Sequence, residues 1–166
     1  MRWRPADRYD AVLPAPFGRL GVVADAAGVR QIDFLPADYG LCLPDTVSAP
    51  VRQLAAALAL FWNDASVPFG LPLRYQATPH QHRVWQALLA IPVGRTRSYG
   101  AIAAEIGSSP RAVGQACGAN PLPILIPCHR AVAKNGNGGF MHQREGAAMD
   151  YKLWLLAHES RYANAD

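Results

Sequence analysis

Pro123-Ile124-Leu125-Ile126-Pro127-Cys128-His129-Arg130 is the run from which the rest of the chain is read. Apolar and proline residues lead straight into a cysteine, with a histidine and an arginine directly behind it. Pro127 has no backbone donor and a fixed φ, so a buried strand over 123–126 is expected to end in a rigid turn at the thiol. Positive charge beside a thiol lowers its pKa, and the thiolate is the nucleophile. The expectation is a sulfur held ionised beside an imidazole and a guanidinium. The plain alternative is a small buried cysteine next to a chance histidine, because free cysteine is among the most buried residue types.

Just upstream the spacing predicts two short helices joined by a tight turn. Ser98 caps residues 99–106, which bury Ile102, Ala103 and Ile106, and Gly107 suits the left-handed C-terminal position. Ser109-Pro110 is an N-cap followed by proline at the first helical position, opening a helix over 111–118. Val113, Ala116 and Cys117 face inward on it. Arg111, Gly114, Gln115 and Gly118 share the other face. Glycine costs about 1 kcal/mol relative to alanine in a helix, so this stripe is unusual unless another backbone approaches closely. The pattern is a helix-turn-helix whose second helix suits nucleic acid. Glycine contacts to another protein element are the alternative. Asn120-Pro121 ends the helix.

Downstream of Arg130, residues 134–139 are rich in Gly and Asn and read as a mobile loop. Residues 149–159 read as a helix burying Leu153, Leu156 and Ala157. Lys152 and Glu159 lie two turns apart on one face, roughly 10.5 Å in rise, so the carboxylate is within range of His129. A solvated glutamate at a helix end is the bland reading.

The first half reads as a scaffold. Residues 1–13 carry no usable pattern. Residues 17–24 and 29–34, with the turn Asp25-Ala26-Ala27-Gly28 between them, form a β-hairpin. After a connection that contains Cys42, residues 51–62 place Val51, Leu54, Leu58, Phe61 and Trp62 at helical spacing. Residues 68–75 read as a short edge strand, where proline is tolerated. Past Thr78-Pro79, residues 82–90 place Val84, Trp85, Leu88 and Leu89 on one helical face, and Pro92 stops the run. His80 and His82 read as polar residues at the helix entry, without the Cys or acidic partners a metal needs.

The chain has 166 residues, 51% of them hydrophobic, which suffices for a core without metal or disulfide staples. The division expected is an α/β scaffold over residues 1–77 and a mostly helical domain over 78–166. Three cysteines without a CxxC pair indicate reduced thiols in a cytoplasmic protein. Met1-Arg2-Trp3-Arg4-Pro5 is followed by no apolar run, against a signal peptide. No stretch approaches the roughly 18 apolar residues of a membrane span. Residues 1–79 hold seven Arg and seven Asp, whereas residues 80–166 hold nine Lys and Arg against five acids. The excess positive charge lies in the half with Cys128, and on charge alone it fits a polyanion partner and a solvated basic surface about equally.

Taken in order, Val84-Trp85, Ser98-Tyr99-Gly100, Arg111-Ala112-Val113-Gly114, Asn120-Pro121, Pro127-Cys128-His129-Arg130 and Lys152-Leu153-Trp154-Leu155-Leu156-Ala157-His158-Glu159 resemble the O6-alkylguanine-DNA alkyltransferase family. The resemblance runs from about Thr78 to Glu159. It implies a ribonuclease-H-like N-terminal scaffold and irreversible transfer of an alkyl group from O6-alkylguanine, and from O4-alkylthymine, in duplex DNA. Cys128 would be the acceptor, His129 the base acting through a water, and Glu159 the group that orients it. Tyr99 would press on a phosphate and donate a hydrogen bond to the flipped guanine, Arg111 would enter the base stack, and Asn120 would link the recognition helix to the active-site turn. Ala112, Gly114, Gln115 and Gly118 on the helix, with Pro123, Arg130, Phe140 and Lys152 around the pocket, are implied to contact substrate or DNA. The implied partner is double-stranded DNA, bound through the minor groove by a monomer without cofactor, metal or membrane.

One stretch departs from the family. Gly139-Phe140 stands where the family has Gly-Tyr, and residues 141–151 form a longer segment without the Gly pair, with Gly146 as its remnant. This segment normally walls the base pocket, so lowered reactivity or an altered range of adducts is implied. A non-catalytic module that flags alkylated bases for other repair is the alternative, although such relatives replace the cysteine. A Cys-His hydrolase leaves Arg111 unexplained, and a helix-turn-helix regulator leaves the Cys-His corner unexplained.

Overall fold

The computed structural model describes residues 9–44, 47–136 and 147–163. The chain divides into two compact units, Met1–Tyr75 and Gln76–Asp166. The expected α/β class holds: a small sheet with one helix, then a mostly helical unit.

In the first unit, β1 (Ala11–Ala15), β2 (Gly18–Asp25) and β3 (Gly28–Leu35) form an antiparallel sheet in the order β1-β2-β3. The hairpin β2–β3 is the one read from sequence, and Asp25 Oδ1 accepts from the N–H groups of Ala27 and Gly28 across its turn. Leu20 pairs with Phe34 and Val22 with Ile32, all four buried, and α1 (Ala49–Asn63) packs on β2 and β3 through Val51, Leu54, Leu58 and Phe61. Side chains alternate across a strand, so Leu35, next to Phe34, is buried on the opposite face with Tyr9 and Val12. Gly21 lies under the Tyr9 ring, where a Cβ would sit 2.6 Å from a ring carbon.

Two expectations fail in this unit. β1 falls partly within the stretch that carried no pattern: Ala11, Val12 and Leu13 are all buried, so both faces are covered and no alternation marks the strand. Residues 68–75 form no strand, because Pro68 and Pro72 remove ladder donors; the segment packs instead through Phe69, 5.0 Å from the Phe61 ring. Cys42 bridges Val12 by two backbone hydrogen bonds and is a free thiol.

The second unit starts at a capping box in which Thr78 and Gln81 satisfy each other's backbone N–H groups at the head of α2 (Pro79–Leu89). Val84, Trp85 and Leu88 are buried as expected, but Leu89 is 36% exposed and the inward position goes to Ala87. Trp85 Nε1 donates to the Ala116 carbonyl at 2.9 Å and bolts α2 to the helix that carries Ala116. Two-residue β4 (Arg97–Ser98) runs parallel to β5 (Ala131–Val132). Then come α3 (Tyr99–Ile106) and α4 (Pro110–Gly118), capped by Ser98 and Ser109, with Gly107 left-handed at φ 69° between them. Ile106 is only half-buried.

Two further corrections concern the site. Residues 123–126 are buried as expected, yet they form a compact turn rather than a strand, because Ile126 N–H bonds back to the Leu122 carbonyl at 2.8 Å. On α5 (Ala147–Ser160), Leu153 is 44% exposed, Leu156 half-buried and Ala157 exposed; Tyr151, Lys152, Leu155, His158 and Glu159 are buried instead. The inward face follows the i, i+3, i+4, i+7 rule but carries two charged residues, so apolar spacing pointed to the wrong side. Among the described residues no helix is long and apolar enough to cross a membrane.

Candidate active site

Between α4 and the cysteine, the chain is held by one amide side chain. Asn120 Oδ1 accepts from Leu122 N–H at 2.9 Å, and its Nδ2 donates to the Ile126 carbonyl at 2.8 Å. Asn120 is 2% exposed, so both bonds satisfy groups that water does not reach. Within the turn, Ile124 adopts φ 76°, a left-handed conformation costing a β-branched residue about 1–3 kcal/mol. Pro127 (φ −80°, ψ 66°) makes an inverse γ-turn in which Cys128 N–H donates to the Ile126 carbonyl at 2.8 Å. Cys128 then opens a single 3₁₀ turn, Cys128–Arg130. Proline, strained turn and amide brace thus fix where the sulfur sits.

Glu159, on α5, meets this turn from the other side. Its carboxylate accepts from His129 Nε2 and takes a two-pronged bond from Arg130, whose Nε lies 2.8 Å from Oε2 and Nη2 3.0 Å from Oε1. All three side chains are buried, His129 completely. Burial alone would raise the Glu159 carboxyl, but the His129 bond and the Arg130 guanidinium outweigh it and hold it at about 2. A carboxylate can only accept, so Nε2 of His129 carries the ring proton. Nδ1 is left with a lone pair and, buried, has no hydrogen-bond partner among the described residues. Burial pulls the imidazole pKa below its ordinary value, against the pull of Glu159, so the ring is neutral. A neutral imidazole with a free Nδ1 can accept a proton.

Three expectations are corrected here. Burial disfavours the ionised sulfur expected at Cys128. The residue is 2% exposed, and burial pushes its thiol up to about 11, against the Asn120 hydrogen bond and the charge of Lys152. Arg130, expected beside the sulfur and toward substrate, is 8% exposed and engaged within the protein: besides Glu159, its Nη1 donates to the Ile91 carbonyl at 2.6 Å. Lys152 is fully buried rather than placed to touch DNA; its Nζ donates to the Ala131 carbonyl at 2.8 Å and lies 5.7 Å from the centre of the Tyr99 ring. Burial lowers its pKa to about 8, while Cys128 and Cys117 favour its charge. Cys117, read from sequence only as core, thus shares the electrostatic surroundings of the sulfur. Its position three residues before Asn120 was the signal, since Asn120 N–H bonds to its carbonyl.

The remaining residues divide by exposure. Arg111 and Gln115 are exposed on α4, while Ala112, Gly114 and Gly118 are half-buried beside them. A Cβ at Gly114 would meet nothing within 4 Å among the described residues, so none of their packing demands that glycine. Tyr99 is half-buried at the first position of α3, and burial raises its phenol pKa well above the ordinary value. Pro123 is buried in the turn. Phe140, and residues 139–146 of the altered segment, lie outside the described residues.

With this geometry in view, likeness to known proteins is specific. The sequence profile described as 6-O-methylguanine DNA methyltransferase, DNA binding domain, matches residues 79–161. A DNA base-flipping protein of Thermus thermophilus is 36% identical, over 89% of this chain and 97% of its own. A methylated-DNA–protein-cysteine methyltransferase of Methanosarcina acetivorans is 33% identical, over 91% and 97% respectively. Among solved structures, Mycobacterium tuberculosis OGT in complex with DNA superposes with a TM-score of 0.73 at 31% identity, covering 93% of this chain and 94% of that one. The chain belongs to the O6-methylguanine-DNA methyltransferase family.

Proposed function

We propose that this protein reverses DNA damage directly, moving the alkyl group of O6-alkylguanine, and of O4-alkylthymine, in duplex DNA onto its own Cys128. The observation that carries the reading is the buried Glu159–His129 pair behind Cys128, in a unit whose helix-turn-helix presents an exposed Arg111. Glu159 sets the His129 tautomer, and Nδ1, through a water, takes the thiol proton. The sulfur then attacks the alkyl carbon; the S–C bond forms as the C–O bond breaks, and the electron pair stays on guanine O6. That oxyanion is a poor leaving group unless donors meet it, and Tyr99 is the donor assigned to it in this reading.

The lesion lies inside a duplex, so the nucleotide is rotated out at a cost of a few kcal/mol. Arg111, entering the stack from the minor groove, offsets part of that cost. Gly114 and Gly118 leave the ridge of α4 low enough for a phosphodiester to approach. The resulting thioether has no route back, so each molecule acts once. Three free thiols fit the reducing cytoplasm.

The test is the intact mass of the protein after incubation with a duplex containing one O6-methylguanine. Transfer adds one methyl group, mapped to Cys128, and stops at one equivalent. Tight binding to the lesion without any mass gain overturns the transfer reading and leaves a non-catalytic lesion-binding module.

A further inference from the structure

We infer that Arg130 is the positioning residue that lets His129 act as a base. Its fixed charge neutralises the buried Glu159 carboxylate, which then orients the imidazole without drawing a second proton onto it. The inference rests on the alkyl-transfer reading and deepens it. Three buried side chains meet at one carboxylate. Oε1 of Glu159 accepts from His129 Nε2 and from Arg130 Nη2, the latter at 3.0 Å, and Oε2 accepts from Arg130 Nε at 2.8 Å. Arg130 Nη1 is tied off on the Ile91 carbonyl at 2.6 Å. The guanidinium is thus fixed from both sides, by α5 and by the residue that follows α2, and the carboxylate it grips offers the imidazole one oxygen in one orientation.

A carboxylate held away from water needs a compensating positive charge. With His129 as its sole partner, Glu159 would obtain that charge by drawing a proton into the pair, as imidazolium facing carboxylate. An imidazolium is a donor at both nitrogens, so Nδ1 could take nothing from the thiol. A guanidinium is not deprotonated in proteins. With Arg130 in place the group is already neutral, and the ring keeps an open Nδ1, which has no hydrogen-bond partner among the described residues. The other groups around the ring agree. Burial favours the neutral imidazole, Glu159 pulls the other way, and Arg130, then Lys152 of α5, oppose that pull. Cys128, in the same turn, is itself kept toward its neutral form by burial. α2 also packs on the turn and carries His80, His82 and Arg83 in its first half, with His80 bonded to Ser108 and Arg83 to the Ile106 carbonyl. When the thiol proton reaches Nδ1, the imidazolium formed is matched by the negative sulfur left behind. Glu159 therefore chooses which nitrogen is free, and Arg130 keeps it free.

Long-range proton–nitrogen correlation spectra of the full-length protein, with isotope-labelled histidine, follow the charge and tautomer of the ring across pH without DNA; loss of signals in His129→Gln assigns them. Wild type should show the neutral Nε2–H pattern as the dominant form at pH 6.5. Arg130→Gln keeps a donor for Glu159 but removes the charge. Its His129 midpoint should rise by about one pH unit or more, and the acid limb of single-turnover methyl transfer should rise with it, about tenfold slower there than wild type. Arg130→Lys keeps the charge and should leave the midpoint near the wild-type value. A midpoint in Arg130→Gln that coincides with wild type, even with slower transfer, overturns the inference and leaves Arg130 a structural clamp. If Arg130→Gln loses its circular dichroism signal, Arg130→Lys decides: an upward shift of about a unit there overturns the inference, and an unmoved midpoint supports it. Failure of wild-type methyl transfer from O6-methylguanine, with the His129 midpoints as expected, would refute the repair reading while leaving this division of charge in place.

Discussion

Replacing Glu159 by glutamine preserves shape and removes one buried charge, and the structure sets the size of the effect. The carboxyl is held at about 2 instead of 4.5 at a residue 1% exposed, and the difference converts to about 3 kcal/mol at neutral pH. An independent route gives a similar value, because Arg130, 8% exposed, would be left as a buried guanidinium facing a neutral amide, a loss of about 3–5 kcal/mol. Because the folded pKa lies below the unfolded one, this stability is fully present above pH 4.5 and is lost as pH falls toward 2. Urea unfolding at several pH values should therefore find Glu159→Gln less stable than wild type by about 3 kcal/mol at pH 7, with the gap closing between pH 4.5 and 2. The same substitution lets the amide donate to Nε2, so the ring proton moves to Nδ1 and the base is lost; single-turnover transfer should slow by about 10²-fold or more. A variant within about 1 kcal/mol of wild type at pH 7, the value of a surface pair, would refute the account, as would parallel stability curves below pH 4.5.

Asn120→Ala strands Leu122 N–H in a buried turn and takes one of two donors from the Ile126 carbonyl, which keeps Cys128 N–H, and should cost about 1–3 kcal/mol in urea unfolding; a loss under about 0.5 kcal/mol would mean the turn holds itself. Arg111→Ala changes an exposed residue, so stability should move by no more than about 0.5 kcal/mol. Transfer from duplex DNA should nevertheless fall about tenfold or more, while transfer from the free alkylated base is unchanged, because only the duplex imposes the cost of extrusion. Equal repair of duplex by that variant counts against a place for Arg111 in the stack. Gly94→Ala forces φ 80° on a residue with a Cβ and puts that Cβ 2.5 Å from the Ala163 Cβ; a loss of about 2 kcal/mol in urea unfolding is expected, and unchanged stability would show that the chain at 163 yields freely.

Local rules were enough to read the helix-turn-helix: Ser98, Gly107, Ser109 and Pro110 are capping and turn residues that act through their own backbone, and each sits where its chemistry put it. The hairpin was legible for the same reason, through Asp25 and Gly28. Tertiary burial decided where reading failed. β1 is covered on both faces, so its alternation vanished, and residues 68–75 had strand composition without donors to pair. On α5 the buried face was chosen by Lys152 and Glu159, which are inward because Ala131, His129 and Arg130 receive them. A sequence places charge beside the thiol but does not say which charge is already neutralised, and so Arg130 was read as acting on the sulfur although Glu159 holds it.

The surroundings of the sulfur bear on how such a site works. Burial pushes the thiol up, against the Asn120 hydrogen bond and the Lys152 charge, so ionisation carries a cost before any bond is made. In an enzyme that turns over, this would be a handicap. Here the acceptor is consumed in its only reaction, and a sulfur that stayed ionised would be consumed by any small electrophile first. A buried thiol kept neutral reacts more slowly with those, while the thiolate of a high-pKa thiol, once formed, is intrinsically the stronger nucleophile. The proton therefore has to leave when a base is in place, and His129 Nδ1, fixed by Glu159 on its far side, can take it without first losing one of its own. Selectivity for a flipped alkylated base over free alkylating agents then rests on burial itself, the same burial that a reading based on neighbouring charge treats as an obstacle.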